Sequence, residues 1–196
     1  MKVLVACEYS GRVRDAFSAL GHEAWSCDLL PSETEGNHYL GDVKDILHDG
    51  WDLMIAHPPC THLAVSGARY FYRKEKEQLE ALEFVRLLMD APIERICIEN
   101  PVSVISSKIR KPDQIIHPWM FGHREAKATC LWLKNLPLLV PSCVVEKPAC
   151  GYWDNQTPSG QNKLGPSADR WKLRSKTYLG IAAQMAAQWG ILDGNE

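Results

Sequence analysis

The segment WDLMIAHPPC, residues 51–60, decides how the rest of the chain is interpreted. Residues 53–56 are a continuous apolar run, which is typical of a strand covered on both faces of a parallel sheet. Pro58 and Pro59 then end the strand, because each has a fixed φ angle and no backbone N–H. Cys60 follows at the carboxyl end of the strand, the edge where open α/β sheets bind their ligands. The segment therefore predicts an α/β fold that presents a cysteine as a nucleophile.

A pattern of strands alternating with helices extends to both sides of this segment. The predicted strands are residues 2–7, 23–28, 40–43, 53–56 and 95–98, the predicted helices are 10–20, 75–89 and 180–190, and runs 114–119 and 128–133 should pair as a hairpin across Gly122. The alternation predicts a doubly wound, mostly parallel sheet with one antiparallel hairpin strand and helices on both faces. The apolar residues of helix 75–89 that should face the core are Leu79, Leu82, Val85, Leu88 and Met89.

The composition suits an ordinary globular protein with one domain over residues 1–196. The chain is 45% apolar and 23% charged, and no apolar run approaches the roughly 18 residues of a membrane span. Seven cysteines, an odd number, and an N-terminus without a signal-peptide pattern favour reduced thiols in the cytoplasm. Cysteine and histidine spacing matches no standard zinc site, so no metal is predicted. Residues 141–172 are rich in Pro, Gly, Ser, Asn and Gln and should form an irregular insert.

The net charge of −2 gives no overall nucleic-acid signature, so a nucleic-acid partner would have to meet local basic patches. One candidate patch is residues 108–111. The other contains Arg170, Lys172, Arg174 and Lys176, whose alternating positions would share one side of an extended segment. For either patch alone, solvated surface remains the alternative.

Glu99 directly follows the buried run of strand five, residues 95–98. If strands four and five are neighbours, about 5 Å apart, Cys60 and Glu99 face one pocket. A thiol beside a carboxylic acid suits attack on an aromatic ring with proton donation to that ring. The alternative is a carboxylate that caps a helix or forms a salt bridge.

Asp28 ends strand two about 20 residues beyond the first strand–helix turn, where nucleotide-binding folds hold ribose hydroxyls. That turn, residues 8–11, has one glycine and matches no phosphate-binding fingerprint. It permits a cofactor without phosphates, whose carboxylate could sit at the helix N-terminus. Ser10 could cap that helix. Asp42 lies near the end of strand three, and either aspartate alone is equally explained as a cap or turn former.

Together, these motifs resemble the DNA cytosine carbon-5 methyltransferases, in particular the short phage-encoded members. The resemblance rests on Pro-Pro-Cys after strand four and Glu-Asn-Pro after strand five, and it covers nearly the whole chain. It implies a Rossmann-like methyltransferase fold, S-adenosyl-L-methionine as cofactor, and DNA as substrate, with the cytosine flipped from the duplex or single-stranded. For a phage-encoded enzyme it implies the host cytoplasm and a role in restriction evasion.

The resemblance also implies individual roles. Cys60 would add to carbon 6 of cytosine, Glu99 would protonate or hold ring nitrogen 3 and the exocyclic amine, and carbon 5 would take the methyl group. Asp28 would hold the ribose and Asp42 the adenine amino group. The full set of implied cofactor-binding residues is Glu8, Ser10, Gly11, Asp28, Asp42 and Pro58, and the substrate-binding residues are Asn100, Lys127, Thr129 and Arg174.

The chain also departs from the family. Residues 6–11 replace the usual Phe-x-Gly-x-Gly motif, and only residues 141–172 stand where full-length members insert a large target-recognition domain. We therefore expect a short recognition site, loose specificity or a partner that supplies it. Three alternatives stay open: transfer of a larger group, such as carboxymethyl, from a modified S-adenosylmethionine held by Arg12 or Arg14; action on a free cytosine nucleotide; and a non-catalytic decoy that binds DNA or the cofactor.

Overall fold

The computed structural model describes residues 1–67, 73–167 and 169–191. Within these ranges seven strands form one sheet in the order β3-β2-β1-β4-β5-β7-β6. The strands are β1 (Lys2–Ala6), β2 (Glu23–Asp28), β3 (His38–Leu40), β4 (Leu53–Ala56), β5 (Arg95–Pro101), β6 (Gln114–Ile116) and β7 (Thr129–Lys134). Strand β7 is antiparallel to both of its neighbours, and the other pairs are parallel. The sheet therefore has the doubly wound, mostly parallel form that the sequence predicted.

Helices cover both faces of the sheet. They are α1 (Arg12–Ala19), α2 (Glu75–Met89), α3 (Ile105–Lys108), α4 (Arg170–Ser175) and α5 (Leu179–Trp189). Because side chains alternate along a strand, Val3 and Val5 of β1 join the core under α1 and α5, while Leu4 joins the core under α2. All three side chains are fully buried, which explains the uninterrupted apolar run of this strand. No helix in the described ranges is long and apolar enough to cross a membrane.

Two local expectations were wrong. Strand three lies at His38–Leu40 rather than 40–43, because the Asp42 side chain accepts a hydrogen bond from the Lys44 backbone N–H and starts a 3₁₀ turn there. On α2, Leu79 is 54% exposed, whereas Leu82, Val85 and Leu88 are buried.

The basic stretch near residue 170 is helical rather than extended. Its backbone forms α4, so Arg170 and Arg174 lie one turn apart on a common face and the alternating cations do not line up. Lys176 lies beyond the helix and forms an ion pair with Glu33 Oε2 at 2.6 Å. The predicted irregular insert accordingly ends before Arg170.

Aromatic stacking attaches the irregular residues 141–167 to the sheet. Trp153 stacks on Trp119 with ring centroids 5.9 Å apart and an interplanar angle of 7°. Trp119 in turn stacks on His117, which directly follows β6. Residues 141–167 contain no helix or strand. The stack of Trp153 on Trp119 nevertheless holds this segment against the rest of the protein.

Candidate active site

The site lies at the carboxyl ends of β4 and β5, which are parallel neighbours. Ala56 pairs with Ile98, so the next residue on each strand, His57 and Glu99, also lie side by side. Strand β5 continues to Pro101, which places Glu99 inside the strand rather than beyond it. The sequence-based expectation that strands four and five are adjacent is thus confirmed.

His57 and Glu99 form a buried ion pair. His57 Nδ1 donates a hydrogen bond to Glu99 Oε2 at 2.7 Å, and the side chains are 10% and 9% exposed. Burial alone would raise the pKa of Glu99, but the hydrogen bond from His57 and the charge of Lys127 outweigh it, so the pKa lies below its usual value. Burial alone would lower the pKa of His57, but the bond to Glu99 outweighs it and the pKa is raised. Sequence reasoning missed His57, although its position one residue beyond a strand beside Glu99 was the available signal.

Cys60 lies on the loop after β4 and is exposed. Surrounding protein hinders hydration of its thiolate and raises the pKa of the thiol, while the positive charges of Lys127 and Arg174 oppose that rise. The charge of Glu99 also raises the pKa of Cys60, so the two groups are close enough to interact. The structure thus brings together four residues that the sequence analysis singled out: Cys60, Glu99, Lys127 and Arg174.

Asn100 holds the loop that carries the cysteine. Its side-chain Nδ2 donates a hydrogen bond to the Pro58 carbonyl oxygen at 2.8 Å, and the residue is 2% exposed. This contact ties the Pro-Pro turn to β5 and limits where Cys60 can lie. The sequence predicted a substrate contact for Asn100 and a cofactor contact for Pro58, and what the structure shows is their contact with each other.

Lys127 approaches the site from the segment before β7. Its Nζ donates a hydrogen bond to the Arg174 carbonyl oxygen at 3.0 Å, which links this segment to α4. Thr129 is buried, and its hydroxyl donates to the Lys127 carbonyl oxygen at 3.3 Å. Thr129 therefore supports the backbone of Lys127, and its contact with a substrate stays a prediction.

The N-terminus of α1 is occupied by the chain's own Glu8. This buried carboxylate accepts hydrogen bonds from the backbone N–H groups of Val13 at 2.8 Å and Arg14 at 3.2 Å, and from the Ser10 hydroxyl at 3.2 Å. Ser10 was expected to cap the helix, and its hydroxyl oxygen accepts only a long hydrogen bond from the Arg12 N–H, at 3.5 Å, while Glu8 makes the shorter bonds. The anion position expected for a cofactor carboxylate is filled, so the structure supports a helix-capping role for Glu8 and Ser10.

Gly11 and Arg14 fix the turn before α1. Gly11 has φ of 72°, and a Cβ there would come within 2.1 Å of Thr34 Oγ1. Arg14 has a fully buried side chain whose guanidinium donates to the Ser26 and Ser32 hydroxyls, both at 3.1 Å, and to Thr34. Packing therefore requires a glycine at position 11. The Arg14 guanidinium already uses its hydrogen bonds inside the protein.

The two aspartates differ in their surroundings. Asp28 is half-buried at the end of β2, where its Oδ1 accepts a hydrogen bond from the Leu30 N–H at 3.0 Å and burial raises the pKa of the carboxyl. Asp42 caps the turn described above and approaches Lys44 Nζ at 3.7 Å. In the part of the chain that the structure describes, no three His, Cys, Asp or Glu side chains are grouped to hold a metal ion.

Comparison with known proteins agrees with this architecture. The chain is similar to the crystal structure of a prophage-encoded E. coli protein assigned as a DNA modification methyltransferase, with a TM-score of 0.51 and 14% identity. The match covers 74% of this chain and 52% of that one, so this chain spans about half the length of the structure it matches. No protein-family model and no curated protein sequence matches. At this identity the likeness shows the fold, and the chain therefore has a Rossmann-like methyltransferase fold.

Proposed function

We propose that the protein transfers a methyl group from S-adenosyl-L-methionine to carbon 5 of cytosine in DNA through a covalent adduct with Cys60. The observation that carries the proposal is the convergence of Cys60, Glu99 and Lys127 at one edge of a methyltransferase-fold sheet. Nucleophile, acid and cation are the groups that addition to a pyrimidine ring requires. Residues 1–196 would act as one catalytic domain in the cytoplasm, that of the host if a phage encodes the protein.

The chain's own residues account for activation of the ring. The Cys60 sulfur bonds to carbon 6, ring nitrogen 3 takes up a proton delivered through Glu99, and the electron pair released from the C5–C6 double bond makes carbon 5 nucleophilic. Lys127 favours the thiolate form of Cys60, because a nearby positive charge stabilises it. Asn100 holds the loop that carries Cys60 in place through its hydrogen bond to the Pro58 carbonyl oxygen.

The carboxyl edge of β1 and β2 partly fits the cofactor. Asp28 is a half-buried carboxylate with one oxygen held by the chain, which suits ribose hydroxyls. Asp42, proposed to meet the adenine, follows Gly41, whose backbone N–H donates to the Asp28 carbonyl oxygen at 3.0 Å. S-adenosylmethionine would supply an electrophilic methyl group there. Since Glu8 fills the N-terminus of α1, the cofactor's carboxylate must be held by other groups.

Helix α4 supplies the positive surface that DNA needs. Lys172 and Arg174 are exposed on it, and Tyr9 fixes it beside the sheet by donating a hydrogen bond to the Lys172 carbonyl oxygen at 2.9 Å. Arg174 also acts on the pKa of Cys60, so this helix borders the reacting atoms. With residues 141–167 as the whole insert, we propose that the recognition sequence is short or that specificity is loose.

The experiment is incubation with S-adenosylmethionine carrying a deuterated methyl group and either duplex DNA or dCMP, followed by mass spectrometry of the nucleosides. The proposal predicts labelled 5-methylcytosine from DNA only. Product from dCMP alone would assign a free-nucleotide enzyme. A parallel incubation uses the carboxymethyl analogue of S-adenosylmethionine. Carboxymethylcytosine from this analogue, with no methylcytosine from S-adenosylmethionine itself, would show that the protein transfers the carboxymethyl group. No product from any combination would favour the decoy.

A further inference from the structure

His57 is a buried histidine beside Glu99, and it has no role in the reaction steps proposed above. The sheet fixes its position, because its backbone N–H donates to the Ala6 carbonyl oxygen at 2.9 Å and Ala56 before it pairs with Ile98. Its Nδ1 meets Glu99 Oε2 at 2.7 Å. That bond uses Oε2, so a bound ring would meet the other carboxylate oxygen, Oε1.

The charges around His57 favour its protonated form. Glu99 and Glu8 stabilise the imidazolium, while Lys127 opposes it. The imidazolium also lowers the pKa of Asp28 at the end of β2, which β1 separates from β4, although burial there raises it. Burial and Lys127 therefore oppose the imidazolium, and the bond and charge of Glu99 together with the charge of Glu8 outweigh them.

The second ring nitrogen of His57 is not satisfied. Nε2 is buried and has no hydrogen-bond partner among the described residues. The contact of the ring with the protein therefore runs through Nδ1 and its bond to Glu99.

The hydrogen bond between His57 Nδ1 and Glu99 Oε2 keeps Glu99 in its unprotonated, carboxylate form. Held as a carboxylate by His57, it cannot protonate a ring unless a proton reaches it first. The Nδ1 proton of the imidazolium is already in the 2.7 Å bond to the carboxylate.

From this geometry we propose that His57 holds the proton that Glu99 passes to ring nitrogen 3 of cytosine when Cys60 adds to carbon 6. The inference rests on the proposed function and deepens it. As the sulfur–C6 bond forms, the Nδ1 proton moves to Glu99 Oε2, and the carboxyl group so formed turns and passes this same proton to N3, which leaves Glu99 as a carboxylate and His57 neutral. After carbon 5 has taken the methyl group, its proton passes to solvent water, the C5–C6 double bond re-forms and Cys60 departs as thiolate. The N3 proton returns through Glu99 to His57. His57 is thus a positioning residue that acts through Glu99.

The test is the pH dependence of cytosine C5–hydrogen exchange in DNA, which reports addition of Cys60 without any cofactor. Tritium release from [5-³H]cytosine DNA would be measured between pH 5 and 9 for the wild type, His57→Asn and His57→Gln. His48→Asn, at an exposed histidine, is the matched control. Each variant's rate is divided by the wild-type rate at the same pH, which cancels the growing fraction of Cys60 thiolate. The advantage of the wild type should extend above the ordinary histidine range, about pH 6.5, because the pKa of His57 is raised.

Relative to the wild type at the same pH, both His57 variants should lose about 10²-fold at pH 8, the usual scale for acid–base assistance. This deficit should shrink toward pH 5, because without His57 the burial of Glu99 raises its pKa and favours a carboxyl group with its own proton. An equal loss at every pH, or no loss, overturns the inference. A wild type that releases no tritium and transfers no methyl group overturns the proposed function as well. If neither variant folds, NMR titration decides: a His57 imidazole that titrates below 6.5 in the wild type, or is unchanged by Glu99→Gln, overturns the inference.

Discussion

Replacement of Glu8 by alanine separates a helix-capping role from a cofactor-binding one. In the structure this carboxylate is 4% exposed and accepts hydrogen bonds from Val13 N, Arg14 N and the Ser10 hydroxyl. Removing it leaves backbone donors at the start of α1 without a partner, in a part of the protein that water does not reach. We therefore expect Glu8→Ala to destabilise the fold itself.

The magnitude follows from those bonds. A lost helix cap costs about 0.5–2 kcal/mol, and a hydrogen bond to a charged group about 1.5–3 kcal/mol. Since these contributions overlap, we expect the free energy of unfolding to fall by about 3 kcal/mol. For a chain of this size that corresponds to a Tm lowered by roughly 6–12 °C. Glu8→Gln keeps one acceptor and should lose about half as much.

Urea unfolding followed by tryptophan fluorescence measures the change. Glu83→Ala, on the exposed side of α2, is the matched control and should shift the free energy of unfolding by less than about 0.5 kcal/mol. A Glu8→Ala protein as stable as the wild type but unable to bind S-adenosylmethionine would refute the reasoning, because it would make Glu8 a cofactor ligand.

Three further changes test other parts of the account. Lys127→Gln should slow alkylation of Cys60 by iodoacetamide several-fold at pH 8, because loss of the cation raises the pKa of the thiol; an unchanged rate would separate Lys127 from the site. Asp28→Asn should weaken S-adenosylmethionine binding by roughly 10–150-fold in calorimetry, the loss of one hydrogen bond to a charged group; an unaltered Kd would remove Asp28 from the cofactor site. Trp153→Ala should expose residues 141–167 to limited proteolysis, because the stack on Trp119 anchors them, and continued resistance would show that other contacts suffice.

Much of the architecture follows from local sequence. The bounds of β2, β4 and α2 agree with prediction, because uninterrupted apolar runs and helical spacing are strong signals. Strand three was misplaced because a side chain, Asp42, determined where the strand ended. Leu79 was misassigned because its spacing fits the apolar face while the packing of α2 leaves it exposed.

The site was predictable where strand order alone determines it. Cys60 and Glu99 could be placed at one edge because parallel strands carry their following residues to a common end. The roles of Glu8, Arg14 and His57 could not be assigned, since each depends on contacts with specific partners in three dimensions. In particular, the cap expected from Ser10 is made mainly by Glu8, two residues earlier, and Ser10 adds only a long bond to the Arg12 N–H.

Covalent trapping tests the central claim most directly. A duplex with 5-fluorocytosine in place of cytosine would be incubated with the protein and S-adenosylmethionine, and the mass of the intact complex measured. Fluorine cannot leave as the C5 proton does, so the account predicts an adduct of protein, DNA and one methyl group that is lost in Cys60→Ser and kept in Cys150→Ser, at another exposed cysteine. Adduct that persists in Cys60→Ser, or cytosine methylation by a Cys60→Ser protein, would contradict it.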